Sequence, residues 1–150
     1  MVTRRVEEYV ETIYEVVEKK GYARVKDVSQ LLGVGASTVS EMFRKLSEEG
    51  YVNYEKYGGV TLTEKGKKLA IELSKKHKAL REFLIILGID EEIADREACI
   101  IEHAVSREVT DRIAKFVKFM KTRKDPLCLK KFKEYYETGK LPECPKRKSE

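Results

Sequence analysis

Three side chains with metal-binding chemistry fall in one short run, Ala98-Cys99-Ile100-Ile101-Glu102-His103, and two carboxylates, Glu8 and Glu11, stand far upstream. On a helix, residues three and four apart share a face. Cys99, Glu102 and His103 are therefore expected to converge on one point, and Glu8 with Glu11 on another helix. Thiolate, carboxylate and imidazole together are the donors of a transition-metal site. An ion held between two such distant segments would fix their relative orientation, which is how a sensor works. Cys99 and His103 could also form the thiol–imidazole pair of a nucleophilic enzyme. No third orienting group, oxyanion donor or Gly-rich turn accompanies them, so that reading is set aside.

The elements that must carry these residues are readable from hydrophobic period. Val6, Tyr9, Val10, Ile13, Tyr14, Val16 and Val17 recur at helical spacing over residues 4–20, and Gly21 closes that helix. Val25 to Leu32 reads as a second helix, Gly33-Val34-Gly35 as a tight turn, and Ser37 to Glu49 as a third helix. The period then changes. Tyr51-Val52-Asn53-Tyr54-Glu55 and Val60-Thr61-Leu62 are β-rich runs joined through Tyr57-Gly58-Gly59, a hairpin signal. Helix, helix, turn, helix, hairpin is the plan of a winged helix-turn-helix. Thr63 is placed to cap a long helix running to about Leu87, and helices follow at 91–105, 106–122 and 127–138. The segment 82–89 is apolar nearly all round, which predicts burial on several sides and a homodimer interface.

The fold class expected is thus mainly α: a winged helix-turn-helix over residues 1–70, a helical metal-binding and dimerisation domain over 71–124, and a C-terminal helix with a basic tail over 125–150. In such a plan the third helix enters the major groove by its N-terminal end. Ala36, Ser37, Thr38, Ser40 and Glu41 are then the reading residues. Serine and threonine bond phosphates or base edges, Ala36 suits a thymine methyl, and Glu41 either accepts from cytosine N4 or caps the helix. Thr3, Arg4, Arg5, Arg24, Lys26, Arg44, Lys45 and Lys56 form the expected backbone-contacting rim of double-stranded operator DNA.

Composition sets the bounds. The 150 residues carry a net charge of +5, distributed as +1 over residues 1–70, zero over 71–122 and +4 over 123–150. The excess lies in the tail, so overall charge is weak evidence for a nucleic-acid partner; a local basic face suffices. No apolar run approaches membrane-spanning length and no signal peptide is visible, so a cytoplasmic protein with no membrane partner is expected. The three cysteines, Cys99, Cys128 and Cys144, match neither a disulfide framework nor a common zinc pattern. Many charges beside a single Gln30 and a single Asn53 is a composition reported for thermophile proteins.

In order along the chain stand Glu8-Tyr9-Val10-Glu11-Thr12-Ile13-Tyr14, Ala36-Ser37-Thr38-Val39-Ser40, the wing Tyr54-Glu55-Lys56-Tyr57-Gly58-Gly59-Val60-Thr61-Leu62-Thr63, and Cys99-Ile100-Ile101-Glu102-His103. This set resembles the diphtheria toxin repressor family of metal-dependent regulators, and its manganese transport regulator branch in length and wing. The resemblance covers residues 4–122. It implies a divalent ion between the first helix and the dimerisation helices, with Glu8, Glu11, His77, Cys99, Glu102 and His103 at the ligand positions. Glu8 stands where the manganese branch has aspartate and the iron branch methionine. Cys99 stands where the manganese branch has glutamate and the iron branch cysteine. The implied cofactor is Fe(II) or Mn(II), with Co, Ni or Zn substituting in vitro. Arg81 stands where the iron branch has a carboxylate of a second, ancillary site. Asp95 either replaces a histidine of that site or pairs with Arg81. The iron branch also carries an SH3-like third domain, and none is expected within these 150 residues. The implied function is repression of metal-uptake genes through dimers whose recognition helices are spaced about 34 Å apart. No small-molecule substrate is expected. The alternative is a winged-helix regulator answering an organic effector or oxidation of Cys99.

Overall fold

The computed structural model describes residues 2–55, 58–123 and 127–143 and divides into two units, Met1–Lys76 and His77–Glu150. The first unit begins with helix α1, Arg4–Lys20, whose N-cap Thr3 accepts a hydrogen bond from the Val6 amide at 3.3 Å. This satisfies one of the amides that a helix start leaves without a partner. Gly21 ends α1 in the left-handed region at φ 86°. Helix α2, Val25–Leu32, starts where the Arg24 amide donates to Asp27 Oδ2 at 3.0 Å. Lys20 also donates to Asp27, at 2.8 Å, and its hydrogen bond is the first cause holding the Asp27 carboxyl below its ordinary range. Helix α3 is Ala36–Glu48, and strands β1, Val52–Glu55, and β2, Gly59–Leu62, form the hairpin.

The hairpin is antiparallel with Val52 opposite Leu62 and Tyr54 opposite Val60. Period-two alternation puts Val52, Val60 and Leu62 inward, while Asn53 and Thr61 face solvent and bond each other at 3.3 Å. Val60 also bridges to Ala23, which ties the wing to the chain entering α2. One apolar cluster unites these elements: Val6, Val10, Ile13, Val28, Val39, Phe43, Leu46 and Val60 are among its members. Phe43 is fully buried and meets the Tyr54 ring edge-on at 5.9 Å.

Helix α4, Glu64–Ile86, starts after Thr63, as its sequence position predicts: Thr63 Oγ1 accepts from the Gly66 amide at 3.1 Å and donates to the Gly50 carbonyl at 2.6 Å. Gly66 leaves no room for a side chain, since an added Cβ would lie 2.1 Å from the Tyr51 carbonyl oxygen. Gly66→Ala is therefore expected to destabilise the winged unit by about 1–3 kcal/mol, the usual range for overpacking. Chemical denaturation followed by tyrosine fluorescence and circular dichroism checks this; a midpoint equal to wild type would contradict the close approach.

The second unit contains the rest of α4, then α5, Glu91–Ile101, α6, Arg107–Thr122, and α7, Leu127–Thr138. Asp90 caps α5 by accepting from the Glu92 amide at 3.0 Å, and Ser106 caps α6 by accepting from that of Val109 at 3.4 Å. Phe83 of α4 packs edge-on against Phe116 of α6 at 5.9 Å, and Lys121 donates to Glu82 at 2.6 Å. Residues 82–86 are each half-buried, and Leu87, Ile93, Ile100, Val109, Phe116 and Phe119 stay exposed. α5 is shorter than its sequence pattern predicts. It ends at Ile101 with Glu102 as C-cap, and the Ala104 amide donates to the Ile101 carbonyl at 2.9 Å, tightening the chain into a turn before Ser106. His103 therefore lies in that turn and not within a continuous helix. No helix among the described residues is long and apolar enough to cross a membrane.

Candidate metal centre and nucleic-acid interface

The end of α5 carries a buried carboxylate. The Glu102 side chain is 0% exposed and that of His103 2%. His77, on α4, puts Nδ1 2.9 Å from Glu102 Oε2, while its Nε2 lies 2.8 Å from Asp95 Oδ1 on α5. His103 Nε2 lies 3.3 Å from Glu102 Oε1. That distance is not accompanied by hydrogen-bond geometry: Glu102 Oε1 is buried with no hydrogen-bond partner among the described residues. A buried carboxylate oxygen without a partner is costly. Here it faces an imidazole, and the same carboxylate holds a second one.

This environment titrates in a defined direction. The hydrogen bond to Glu102 is the main cause raising the His77 pKa to about 9, opposed by burial and assisted by Asp95. The folded value lies above the ordinary 6.5, so the stabilisation is fully present below that pH and fades as pH rises through about 9. The cluster thus draws positive charge to the Glu102 carboxylate. Two imidazoles and one carboxylate that retains an orphaned oxygen fit a divalent transition-metal ion, which would compete with the His77 proton.

The remaining expected ligands are Cys99, Glu8 and Glu11. Cys99 is an exposed residue of α5. In the first unit, Glu8 and Glu11 follow each other on one face of α1; Glu8 accepts from Arg4 Nε at 2.9 Å and Glu11 is half-buried. Sequence spacing did not reveal the Asp95–His77 bond, because the two residues are on different helices. Pairing with Arg81 is one of the two roles expected for Asp95, and Arg81 Nε lies 3.5 Å from Asp95 Oδ1.

The expected reading surface is built on α3. Ala36, Ser37 and Glu41 are exposed and Thr38 and Ser40 half-buried, while Val39, Met42, Phe43 and Leu46 turn inward. The N-cap of α3 is Gly35, which has no side chain to cap the helix. Arg5, Lys26, Arg44 and Lys45 are exposed. Arg4 engages Glu8, Arg24 lies over the Tyr22 ring at 5.2 Å, and the Thr3 hydroxyl serves the α1 cap. Lys56 lies outside the described residues.

Residues 1–60 match the iron dependent repressor N-terminal DNA-binding domain, and residues 63–131 match that family's metal-binding and dimerisation domain. This chain belongs to the diphtheria toxin repressor family of metal-dependent transcriptional regulators. Among curated relatives, the HTH-type transcriptional regulator MntR of Bacillus subtilis is 45% identical over 106 residues, covering 71% of this chain and 75% of that protein. Among solved structures, a manganese-dependent transcriptional repressor complex with manganese is 35% identical with a TM-score of 0.69, over 75% of this chain and 52% of the other. The T. acidophilum IdeR structure is 31% identical with a TM-score of 0.66, over 79% of this chain and 55% of its own. Members of the diphtheria toxin repressor family are DNA-binding regulators and not enzymes. The winged unit, the helical dimerisation unit and the divalent-metal dependence all follow from membership.

Proposed function

We propose that this repressor turns off metal-uptake genes when Fe(II) or Mn(II) is replete, with the ion held by Glu8, Glu11, His77, Cys99, Glu102 and His103. The observation that carries the reading is the buried Glu102 carboxylate between two imidazoles, with one oxygen lacking a hydrogen bond. When bound, the ion supplies two positive charges to donors drawn from both units. Glu8 and Glu11 on α1 and Glu102 at the end of α5 carry like charges that oppose being brought together. Their neutralisation holds α1 to the second unit and lowers the free-energy cost of ordering the two winged units of a dimer on DNA. Ala36, Ser37, Thr38, Ser40 and Glu41 then face base edges. Thr3, Arg4, Arg5, Arg24, Lys26, Arg44, Lys45 and Lys56 meet phosphates, so affinity falls steeply with salt.

Calorimetric titration of chelator-treated protein with Mn(II) and, anaerobically, Fe(II) tests this. Saturable binding is expected, with a matching gain in affinity for the protein's own upstream DNA. No heat from either ion would overturn the reading.

Cys99 sets the preference between the ions. Thiolate favours iron, cobalt, nickel and zinc, whereas manganese prefers oxygen donors. Cys99→Glu is expected to move the ratio of Mn(II) to Co(II) affinity toward manganese, because it exchanges a soft thiolate for a hard oxygen donor. Competition titrations read that ratio directly, and an unchanged ratio would remove Cys99 from the ligand set.

A further inference from the structure

We infer that Asp95 is the residue that positions His77 for metal binding: its carboxylate, held by Arg81, keeps the proton on Nε2 and leaves Nδ1 as the ligand atom beside Glu102. The inference rests on the metal-site reading above and goes beyond it by assigning a role to a residue outside the ligand set.

The His77 ring lies between two carboxylates, with Nδ1 2.9 Å from Glu102 Oε2 and Nε2 2.8 Å from Asp95 Oδ1. The two carboxylates are not equivalent. Glu102 is fully buried and retains an oxygen with no hydrogen bond. Asp95 is 61% exposed, and its Oδ1 also faces Arg81 Nε at 3.5 Å. Arg81 Nη2 reaches Glu91 Oε2 at 3.7 Å, so one guanidinium spans both acidic side chains. That fixed positive charge opposes a second cation at Asp95. It leaves Asp95 a poor ligand and a good acceptor.

A neutral imidazole offers one lone pair and one N–H. If Nδ1 gives its lone pair to an ion shared with Glu102, the proton must sit on Nε2, where Asp95 accepts it. A carboxylate in that position fixes the tautomer, orients the ring and raises the basicity of the ligating nitrogen. The i to i+18 separation of His77 and Asp95 hides this from sequence spacing.

The test compares wild type, Asp95→Ala and Asp95→Glu, loaded with Zn(II) as a diamagnetic probe. Affinity is read by competition titration, and the His77 ring nitrogens by 15N NMR; the chain has only two histidines, which eases assignment. Because Asp95 is exposed, the variants should keep the fold. In wild type, Nε2 is expected to carry a slowly exchanging proton and Nδ1 the metal. Asp95→Ala should lose about 10–100-fold in affinity and exchange that proton quickly, with partial recovery in Asp95→Glu. Zn(II) bound through Nε2, or Asp95→Ala matching wild type in both readouts, would overturn the role of Asp95 alone. Failure of wild type to take up Zn(II) or Mn(II) would overturn the metal-site reading together with it.

Discussion

Glu11→Ala and His103→Ala are each expected to abolish the metal-stimulated part of operator binding while leaving the weak metal-independent part intact. The two residues lie in different units, one half-buried on α1 and the other with a side chain 2% exposed beside Glu102. If the ion works by joining the units, loss of a ligand from either side removes the same coupling. Coupling energies of this kind correspond to about 5–150-fold in affinity, and that is the stimulation at stake. Gel shifts with and without Mn(II), at fixed salt, measure it. Either variant binding operator as tightly as wild type in the presence of metal would contradict a shared site. Reciprocity gives a second check, since DNA should tighten metal binding by the same factor in wild type and not in the variants.

Phe43→Ala is expected to cost about 3–5 kcal/mol, the usual range for removing a buried aromatic side chain. Phe43 is fully buried within the cluster formed by α1, α2, α3 and the hairpin, and its edge-on contact with Tyr54 joins α3 to β1. Removing the ring leaves a cavity at the junction of α3 and β1, the elements proposed to meet DNA together. Domain stabilities are typically about 5–15 kcal/mol, so the loss is a large fraction of what holds the winged unit. Urea unfolding should show the lower midpoint, and DNA binding should fall even with metal in excess. A variant unfolding at the wild-type midpoint would mean that Phe43 does not anchor α3. Phe43→Leu, which keeps most of the apolar volume, should recover most of the stability.

Local pattern alone determined the winged unit. α1 begins after Thr3 and ends at Gly21, α2 covers Val25–Leu32, and the hairpin turns between Glu55 and Gly59, because capping, glycine conformation and hydrophobic period act over a few residues. The Cys99–His103 run was legible for the same reason: metal donors at short spacing are visible without a fold. What the sequence could not settle is which of those donors is desolvated. Cys99 and Glu102 are three residues apart, yet the thiol is exposed and the carboxylate fully buried. Nor could period show that α5 stops at Ile101, leaving His103 in a turn, or that His77 bridges Glu102 and Asp95 from another helix. Burial and hydrogen bonding between helices depend on which faces pack together, a long-range choice with no spacing of its own; only the tertiary structure decides it.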